Sequence, residues 1–456
     1  MKEISFGTDG WRGIIGDNYT FRNVRKVSQA VADYVGSGSR VAVGFDTRFQ
    51  SGRFARIAAE VLAANGVDVL LCDRSIPTPA LSFTVKKREL DLGVMITASH
   101  NPAAYNGFKI KTASGGAAGP EVTSRVEQLL DKHPVKTDAC GDAIKVEDFS
   151  RAYVRFLRRY IDLKRIKKKR FKVIVDAMYG AGNSFMADIL KGTDIRVEFM
   201  RHEINPSFGG IHPEPVEELL PGLKRRVKQG KFDLGIALDG DADRVAAVAP
   251  GGVFVHPQKI LGLLALHLHE DRKWSGGIVK TVAGTTMMDH IASYLGVRLY
   301  ETPVGFKYIS NLMETKDIVA GGEEAGGMGV TNYIPERDGT LAGLLLLEMM
   351  VYRNKDILKI LRDVEKRFGK YYYLRDALRL KSRPRLKRED FPGKLLGVEV
   401  VEVKDSDGIK MICRDESWLM LRASGTEPIV RLYAESRSLK KSRALIELGK
   451  SFLSAQ

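Results

Sequence analysis

A hydroxyl, an imidazole and a carboxamide stand together in the segment Thr97-Ala98-Ser99-His100-Asn101-Pro102. The segment directly follows the apolar run Leu92–Ile96, and an apolar run bounded by charge and by Asn-Pro predicts a buried strand that ends in a loop. Open α/β sheets usually bind their ligands in loops at the carboxyl ends of strands. Ser99 could therefore act as a nucleophile or carry a phosphate. Taken alone, the segment fits equally well with a polar turn whose side chains bond their own backbone.

Three aspartates, Asp239, Asp241 and Asp243, alternate directly after another apolar run, Phe232–Leu238. Carboxylate oxygens that converge from one short loop are ligands that Mg²⁺ prefers, and the ion keeps its other positions for water or phosphate. Three carboxylates this close repel one another by more than one neighbouring arginine cancels, so a divalent cation is the simplest explanation. A solvated acidic turn is the alternative. A calcium-binding EF-hand is disfavoured because Pro250 stands at the twelfth loop position, where that motif needs a glutamate.

Two further segments combine an arginine with glycine or hydroxyl residues. Arg422-Ala423-Ser424-Gly425-Thr426-Glu427-Pro428 offers a guanidinium, hydroxyls and a glycine amide in a short turn, a combination that can cradle a phosphate. Phe6–Gly13 contains three glycines and Arg12, and a guanidinium held between glycines can reach a phosphate bidentately. An ordinary hairpin turn and a surface arginine on a turn are the structural alternatives.

Together these segments supply the parts of a phosphoryl-transfer site. A cation held by the three aspartates would neutralise charge on a phosphoryl group attached to Ser99, and in-line transfer needs little beyond positioning and charge stabilisation. Arginines and lysines would hold a second phosphate elsewhere on the substrate.

Alternating helix and strand patterns must position these loops. The periodicity predicts helices and strands in the order Phe21–Val35 (helix), Arg40–Asp46 (strand), Ser51–Ala64 (helix, capped by its serine), Val67–Cys72 (strand), Thr78–Lys87 (helix) and Leu92–Ile96 (strand). Strands that alternate with helices predict βαβ units and a largely parallel sheet. After His100, Tyr105–Lys111 is predicted to be a turn and a strand, with Lys109 and Lys111 on one face.

The same alternation restarts at Phe171–Asp176 and again at Gly277–Val282, whereas strand patterns from about Lys370 lead to a last helix from about Leu439. We therefore predict an α/β fold with three related α/β domains, whose sheets are mixed and mostly parallel, and a C-terminal α+β domain. The predicted domains are residues 1–145 with the Ser99 loop, 146–250 with the aspartate loop, 251–368 with a glycine-rich loop, and 369–456 with the second phosphate loop.

The composition limits where the protein works and what it binds. The chain has 456 residues, 44% hydrophobic and 28% charged, as expected of a globular protein with several domains. Three distant cysteines, Cys72, Cys140 and Cys413, indicate a reducing compartment, and without a signal peptide or spanning segment we expect a cytoplasmic protein with no membrane partner. The net charge of +16 raises a nucleic-acid-binding alternative centred on Lys164–Lys172. A solvated basic connector and an enzyme of small anionic substrates explain this charge as well.

Five segments, in family order and across essentially the whole chain, resemble the α-D-phosphohexomutases, which include phosphoglucomutases, phosphomannomutases and phosphoglucosamine mutases. They are Phe6–Gly13, Thr97–Pro102, Asp239–Arg244, Gly322–Gly326 and Arg422–Pro428. The resemblance implies four domains around a central cleft, each contributing one loop. It implies that Ser99 is a phosphoserine and that Mg²⁺ is bound by Ser99 and the three aspartates. The phosphoserine would give its phosphate to a hexose monophosphate, and the resulting hexose 1,6-bisphosphate would return its other phosphate to the serine.

The resemblance also implies roles for single side chains. Glu323 would bond the sugar hydroxyls and Lys109 would be the general acid/base. The transferred phosphate would be surrounded by Arg12, His100 and Arg244. The non-reacting phosphate and the sugar would be bound by Arg422, Ser424, Gly425, Thr426 and Arg431, with Lys280 and Lys307 as further basic positions.

One position departs from the family pattern. The sugar-recognition loop usually reads Gly-Glu-x-Ser-Gly, and Ala325 replaces the serine, which removes a hydrogen bond of about 0.5–1.5 kcal/mol. Gly327 follows, where phosphoglucosamine mutases and some others carry a histidine. We predict a Mg²⁺-dependent phosphohexomutase of glucose or mannose phosphates, a monomer or homodimer without a nucleic-acid partner, with a phosphoglucosamine mutase as the alternative. A phosphatase in which water attacks the same phosphoserine is a further alternative, and a nucleic-acid-binding protein would leave the serine and aspartate loops unexplained.

Overall fold

The computed structural model describes residues 4–7, 9–138, 143–382, 384–424 and 428–454. They divide into two compact units, one from Met1–Ser275 and Gly305–Ile360, the other from Gly276–Val304 and Leu361–Gln456. The helices are α1 (Phe21–Val35), α2 (Ser51–Ala64), α3 (Thr78–Lys87), α4 (Pro120–Leu129), α5 (Ser150–Tyr160), α6 (Leu163–Ile166), α7 (Phe185–Leu190), α8 (Pro221–Gly230), α9 (Pro257–Leu266), α10 (Met287–Leu295), α11 (Phe306–Thr315), α12 (Gly339–Arg353), α13 (Ile357–Phe368) and α14 (Leu439–Ser454).

The strands of the N-terminal half are β1 (Phe6–Gly7), β2 (Gly10–Ile14), β3 (Arg40–Phe45), β4 (Asp68–Cys72), β5 (Leu92–Ile96), β6 (Tyr105–Thr112), β7 (Ile144–Glu147), β8 (Lys172–Asp176), β9 (Arg196–Met200), β10 (Leu234–Leu238), β11 (Val245–Ala249) and β12 (Val253–Val255). Those of the C-terminal half are β13 (Gly277–Thr281), β14 (Leu299–Thr302), β15 (Ile318–Gly322), β16 (Met328–Val330), β17 (Tyr372–Arg379), β18 (Lys394–Leu395), β19 (Val398–Lys404), β20 (Ile409–Cys413), β21 (Trp418–Ala423) and β22 (Ile429–Ser436).

The first sheet has the strand order β1-β2-β6-β5-β3-β4-β7 and is mixed. Strands β5, β3, β4 and β7 are parallel, as the intervening helices predict. Strands β1, β2 and β6 form the antiparallel side, and β6 returns antiparallel to β5. The reason is length, because the segment that joins β5 to β6 is too short for the crossover that a parallel pair requires. That short segment is the Ser99 loop.

The second sheet, in the order β12-β11-β10-β8-β9, repeats this arrangement. Strand β10 is parallel to β8 and β8 to β9, whereas β11 returns antiparallel to β10 through the aspartate loop. Strands β15 and β16 are antiparallel across the glycine-rich turn, and β13 and β14 are parallel. The three α/β parts are therefore confirmed, and the proposed chemistry falls on tight reversals at the ends of buried strands.

The C-terminal domain has a six-stranded sheet in the order β17-β22-β21-β20-β19-β18. Its described pairs are antiparallel. Helix α14 contributes Leu445 to a core that contains Leu419 and Leu432. The predicted α+β domain is confirmed, and within the described ranges no helix has the length and apolarity needed to cross a membrane.

One local prediction is wrong. Helix α2 begins after Gln50, which is left-handed (φ 61°) and gives no side-chain cap, so Ser51 is not the capping residue. The Ser51 hydroxyl instead donates to Asp46 Oδ1 at 2.8 Å, because this buried carboxylate competes for it. The same carboxylate helps to hold the Ser99 loop.

Candidate active site

Ser99 lies at the end of β5, is 1% exposed and has a left-handed backbone with φ 53°. A non-glycine residue in this conformation costs about 1–3 kcal/mol, and it persists only where the surroundings hold it. The Ser99 amide donates to Thr97 Oγ1 at 2.9 Å, and Thr97 Oγ1 donates to Asp46 Oδ2 at 2.6 Å. The strained serine is thus fixed by its own loop and by the loop after β3.

Arg48 binds the backbone of the Ser99 loop through its guanidinium group. This arginine is 3% exposed, and it donates to four backbone carbonyls, those of Ser99 (2.6 Å), Asn101 (2.6 Å), Pro102 (2.8 Å) and Tyr105 (3.0 Å). Its Nε lies 3.2 Å from Asp46 Oδ2. A buried guanidinium paired in this way supplies the positive charge and the donors that the loop's carbonyls require.

The three aspartates meet Ser99 from the end of β10. Asp239, Asp241 and Asp243 are 0% exposed, and one carboxylate oxygen of each lies within 4.8 Å of the others. Ser99 Oγ donates to Asp239 Oδ2 at 3.0 Å. In the part of the chain that the structure describes, Asp241 Oδ1 and Asp243 Oδ1 have no hydrogen-bond partner. Buried carboxylate oxygens without a donor fit a hard divalent cation.

Gly240 allows the two loops to touch. A Cβ on this residue would lie closer than 3.0 Å to the Ser99 carbonyl oxygen, a distance that real Cβ atoms avoid. On the other side, the first residue of α3, Thr78, donates from its amide to the Asp241 carbonyl (3.0 Å) and from its hydroxyl to Asp241 Oδ2 (2.5 Å). The serine and aspartate loops therefore form one packed unit.

Lys109 projects from β6 into the acidic cluster and is 1% exposed. Its Nζ lies 2.9 Å from Asp9, 2.9 Å from Asp241 and 3.1 Å from Asp243. Burial alone would lower the pKa of Lys109, but these carboxylates outweigh it and raise the pKa above its ordinary value, so the amine is protonated at neutral pH. As predicted, Lys111 lies on the same face and pairs with Glu336 and Asp9.

The nearby positive charge does not stabilise the ionised aspartates equally. Burial, reinforced by repulsion from Asp243 and Asp241, holds the pKa of Asp239 well above its ordinary value. Burial would also raise the pKa of Asp241, but Lys109 and the Thr78 hydroxyl lower it below the ordinary range. Of these two carboxylates, Asp239 beside Ser99 is the one whose ionised form is less stabilised, and an added cation would stabilise it.

The three residues expected around the transferred phosphate are near Ser99. Arg12 on β2 donates to Asn101 Oδ1 at 2.7 Å, and His100 Nδ1 is 3.3 Å from Ser99 Oγ. The Arg244 amide donates to Asp239 Oδ1 at 3.1 Å, and its guanidinium lies 3.7 Å from Glu214. The structure thus brings together the serine, the aspartates and three basic or imidazole groups.

The proposed sugar loop is attached to the aspartate loop. Its turn closes with the Glu323 amide donating to the Gly327 carbonyl (2.9 Å), and the Val245 amide of β11 donates to the Gly326 carbonyl (3.1 Å). Glu323 is 8% exposed and accepts from Arg337 at 3.1 Å, and burial outweighs this arginine in raising the pKa of Glu323. Ala325 is half-buried in the same turn.

The remaining predicted binding residues are spread over both compact units. Lys307 belongs to the first unit, on the first turn of α11, with its Nζ 5.2 Å from the Tyr308 ring centroid. Lys280, Arg422, Ser424 and Arg431 belong to the second unit. Lys280 pairs there with Asp289 and lies 3.8 Å from Glu301. Gly425 and Thr426 lie outside the described residues.

Arg422 and Arg431 occupy directly opposite positions on β21 and β22. Arg422 Nε donates to Asp407 Oδ1 at 2.8 Å, and Arg431 is exposed. Like charges that face each other across a strand pair are destabilising unless an anion neutralises them. Asp407 offsets part of this repulsion, and Arg431 is the exposed cation of the pair.

Sequence reasoning missed several residues that complete the site. They are Asp9, Asp46, Arg48, Thr78, Glu336 and Arg337. Only Asp9 gave a local signal, since it stands in the same glycine-rich segment as Arg12. Asp46 and Arg48 pair with each other, but the contacts that bring the other five residues to the site reach across to other segments, so no spacing pattern reveals them.

Comparisons with known proteins agree along the whole chain. Family models of phosphoglucomutase/phosphomannomutase match in four consecutive parts, alpha/beta/alpha domain I at residues 3–135, domain II at 151–252, domain III at 256–368 and the C-terminal domain at 358–447. A phosphoglucomutase/phosphomannomutase of Thermococcus kodakarensis is 31% identical over 459 residues, 97% of each chain. A phosphoglucosamine/phosphogalactosamine mutase of Sulfurisphaera tokodaii is 31% identical over 449 residues, also 97% of each chain.

A solved structure shows the same fold. The crystal structure of a Thermus thermophilus protein, described provisionally as a phosphomannomutase, is 35% identical, with a TM-score of 0.89 over 99% of both chains. The protein described here is therefore an enzyme of the phosphoglucomutase/phosphomannomutase family, the α-D-phosphohexomutases.

Proposed function

We propose that this enzyme is a Mg²⁺-dependent mutase that interconverts the 1- and 6-phosphates of glucose or mannose through a phosphoserine at Ser99. The observation that carries the proposal is the 3.0 Å contact between Ser99 Oγ and Asp239 Oδ2 at the edge of the three-aspartate cluster. A phosphate on Ser99 would face these carboxylates, so the phosphorylated state requires additional positive charge at this point.

The residues present fit Mg²⁺ as the source of that charge. The ion would be held by Asp239, Asp241 and Asp243, two of which keep a buried oxygen without a hydrogen-bond partner among the described residues, and by the phosphate of Ser99. When bound, Mg²⁺ would withdraw charge from the phosphoryl oxygens and so favour their transfer.

A side chain of the protein would transfer the protons that the reaction requires. In the forward half-reaction the bond from Ser99 Oγ to phosphorus breaks and a bond from a sugar hydroxyl oxygen to phosphorus forms, so the sugar hydroxyl loses a proton and Ser99 regains one. Lys109, which is protonated among its carboxylates, is the group we assign as proton donor to the oxygen that leaves phosphorus, and positive charge added at the aspartates would lower its raised pKa toward the range in which proton transfer is efficient. Once neutral, it could accept the proton of the attacking hydroxyl. The hexose 1,6-bisphosphate formed in this way would return its other phosphate to Ser99.

The second phosphate would be bound by the C-terminal hairpin. The opposed Arg422 and Arg431 support this role, because directly opposite residues of paired strands share a face, where two guanidinium groups can contact one phosphate. Ser424, Gly425 and Thr426 would add hydroxyl and amide donors, with Lys280 and Lys307 as further cations. Arg12, His100 and Arg244 would contact the phosphate that moves.

A phosphoglucosamine mutase is the second candidate. The names of relatives favour it, since a probable phosphoglucosamine mutase of Methanosphaera stadtmanae is 29% identical over 464 residues. Specificity constants for glucose, mannose and glucosamine 1-phosphates, measured on one preparation, distinguish the two candidates.

Replacing Ser99 tests the proposed function. Ser99→Ala should abolish conversion of glucose 1-phosphate to glucose 6-phosphate in a coupled assay. Ser82→Ala is the matched control, because Ser82 is also buried in the first unit and its hydroxyl has no hydrogen-bond partner among the described residues. Mutase turnover that survives in Ser99→Ala would eliminate Ser99 as the phosphate carrier. Release of free phosphate at the rate of isomerisation would instead indicate a phosphatase.

A further inference from the structure

The space beside the sugar loop is filled by the side chain of Arg337, from the segment between β16 and α12. A Cβ on Gly327 would lie closer than 3.0 Å to the Arg337 side chain and 3.1 Å from Glu323 Oε2. Because Gly327 has no side chain, the Arg337 side chain can pass over it and reach Glu323. Arg337 itself is 3% exposed.

Arg337 connects three of the loops described above. Its guanidinium lies 3.1 Å from Glu323 in the sugar loop, 2.5 Å from Asp9 in the glycine-rich loop and 2.7 Å from Asp243 in the aspartate loop. Glu336 adds a contact of 3.3 Å to Nε. Four carboxylates thus surround one planar cation, whose fixed geometry restricts where each carboxylate can lie.

The backbone that presents Arg337 is also fixed. The Asp338 amide donates to the Met328 carbonyl (2.9 Å) and the Gly339 amide to the Ala242 carbonyl (3.1 Å). Asp338 caps α12 by accepting from the Leu341 amide at 2.8 Å. Arg337 therefore stands on a rigid helix start between the aspartate loop and β16.

We propose that Arg337 is a positioning residue that orients the Glu323 carboxylate and biases the enzyme against amino sugars; this inference rests on the proposed mutase function. A neutral sugar hydroxyl can donate to Glu323 while Arg337 keeps its own contact, because a carboxylate accepts several hydrogen bonds. A protonated amino group would compete with Arg337 for the same negative charge and would lie near a fixed cation. Arg337 therefore favours glucose or mannose phosphates over glucosamine phosphate.

Specificity constants of Arg337 variants test this inference. Arg337→Met should raise the KM for glucose 1-phosphate by about tenfold and raise the ratio of glucosamine to glucose kcat/KM by about fivefold or more. Arg337→Lys keeps the charge. Its ratio of glucosamine to glucose kcat/KM should return to the wild-type value, whereas its KM for glucose 1-phosphate should lie between those of the wild type and Arg337→Met. Arg353→Gln is the control, since Arg353 pairs with Glu270 (2.8 Å) and Asp271 (3.0 Å) outside these loops and should leave the ratio unchanged.

Gly327→Ala gives an independent reading if Arg337→Met does not fold. It removes no charge, but its Cβ would displace the Arg337 side chain and crowd Glu323 Oε2, so the KM for glucose 1-phosphate should rise about fivefold or more. A ratio that Arg337→Met leaves unchanged, or a KM that Gly327→Ala leaves unchanged, overturns the inference. If the wild-type enzyme converts none of the three sugar phosphates, the proposed function fails instead.

Discussion

The Arg48 contacts predict how much the Ser99 loop depends on one side chain. Arg48→Met removes four hydrogen bonds to the loop and leaves Asp46, which is 1% exposed, without its cation. Breaking a buried ion pair costs about 3–5 kcal/mol. Because Ser99 also holds a strained backbone, we expect this cost to appear as local opening of the loop. A loss of that size corresponds to about a hundredfold to several-thousandfold less protection of the loop amides.

Hydrogen exchange of the segment 97–106 measures this opening directly. Arg53→Met is the matched control from α2, because Arg53 contacts only Gln50 (3.3 Å) and the Phe21 ring (5.0 Å) among the described residues, and its loss should change protection by less than about threefold. Adding Asp46→Asn to Arg48→Met should recover part of the protection, since the unpaired charge is then removed. If protection in Arg48→Met stays within threefold of wild type, Arg48 does not hold the Ser99 loop closed.

Three further outcomes are expected. Gly240→Ala should lower kcat by about a hundredfold or more and also lower the melting temperature, because a Cβ there meets the backbone carbonyl of the buried Ser99; unchanged turnover would contradict this close approach. Asp239→Asn should remove the rise in melting temperature that Mg²⁺ gives the wild type, as a thermal shift titration would show. Burial, reinforced by the nearby Lys280, lowers the pKa of Lys410 from 10.5 to about 7, so the unfolded chain binds more protons between these values and stability should increase with pH. Lys410→Met should abolish that increase, and melting temperatures at pH 7 and pH 9 check it.

Much of the fold could be predicted because its signals are local. Strand β5 and helices α1 and α3 have the bounds that apolar periodicity predicts, since each buries one face or a continuous run. The antiparallel return of β6 could also have been predicted, from the short segment that carries Ser99. The Ser51 cap could not be predicted correctly, because the hydroxyl's partner, Asp46, belongs to the preceding loop.

The residues of the candidate site also fall into those that a local sequence pattern reveals and those that it does not. Ser99 and the three aspartates could be found because each group occupies one short segment with a distinctive residue pattern. Arg337 could not, since one of its partners, Asp9, is 328 residues away and becomes a neighbour only in the folded chain. Arg48 was missed because its partners are mainly backbone carbonyls, which any sequence provides.

Peptide mass mapping after incubation with glucose 1,6-bisphosphate and Mg²⁺ shows whether Ser99 carries the transferred phosphate. We expect one added phosphate, located on Ser99, that disappears when excess glucose 6-phosphate is supplied and is absent from Ser99→Ala. A phosphate on another residue, or none on an enzyme that still interconverts the two glucose phosphates, would contradict it.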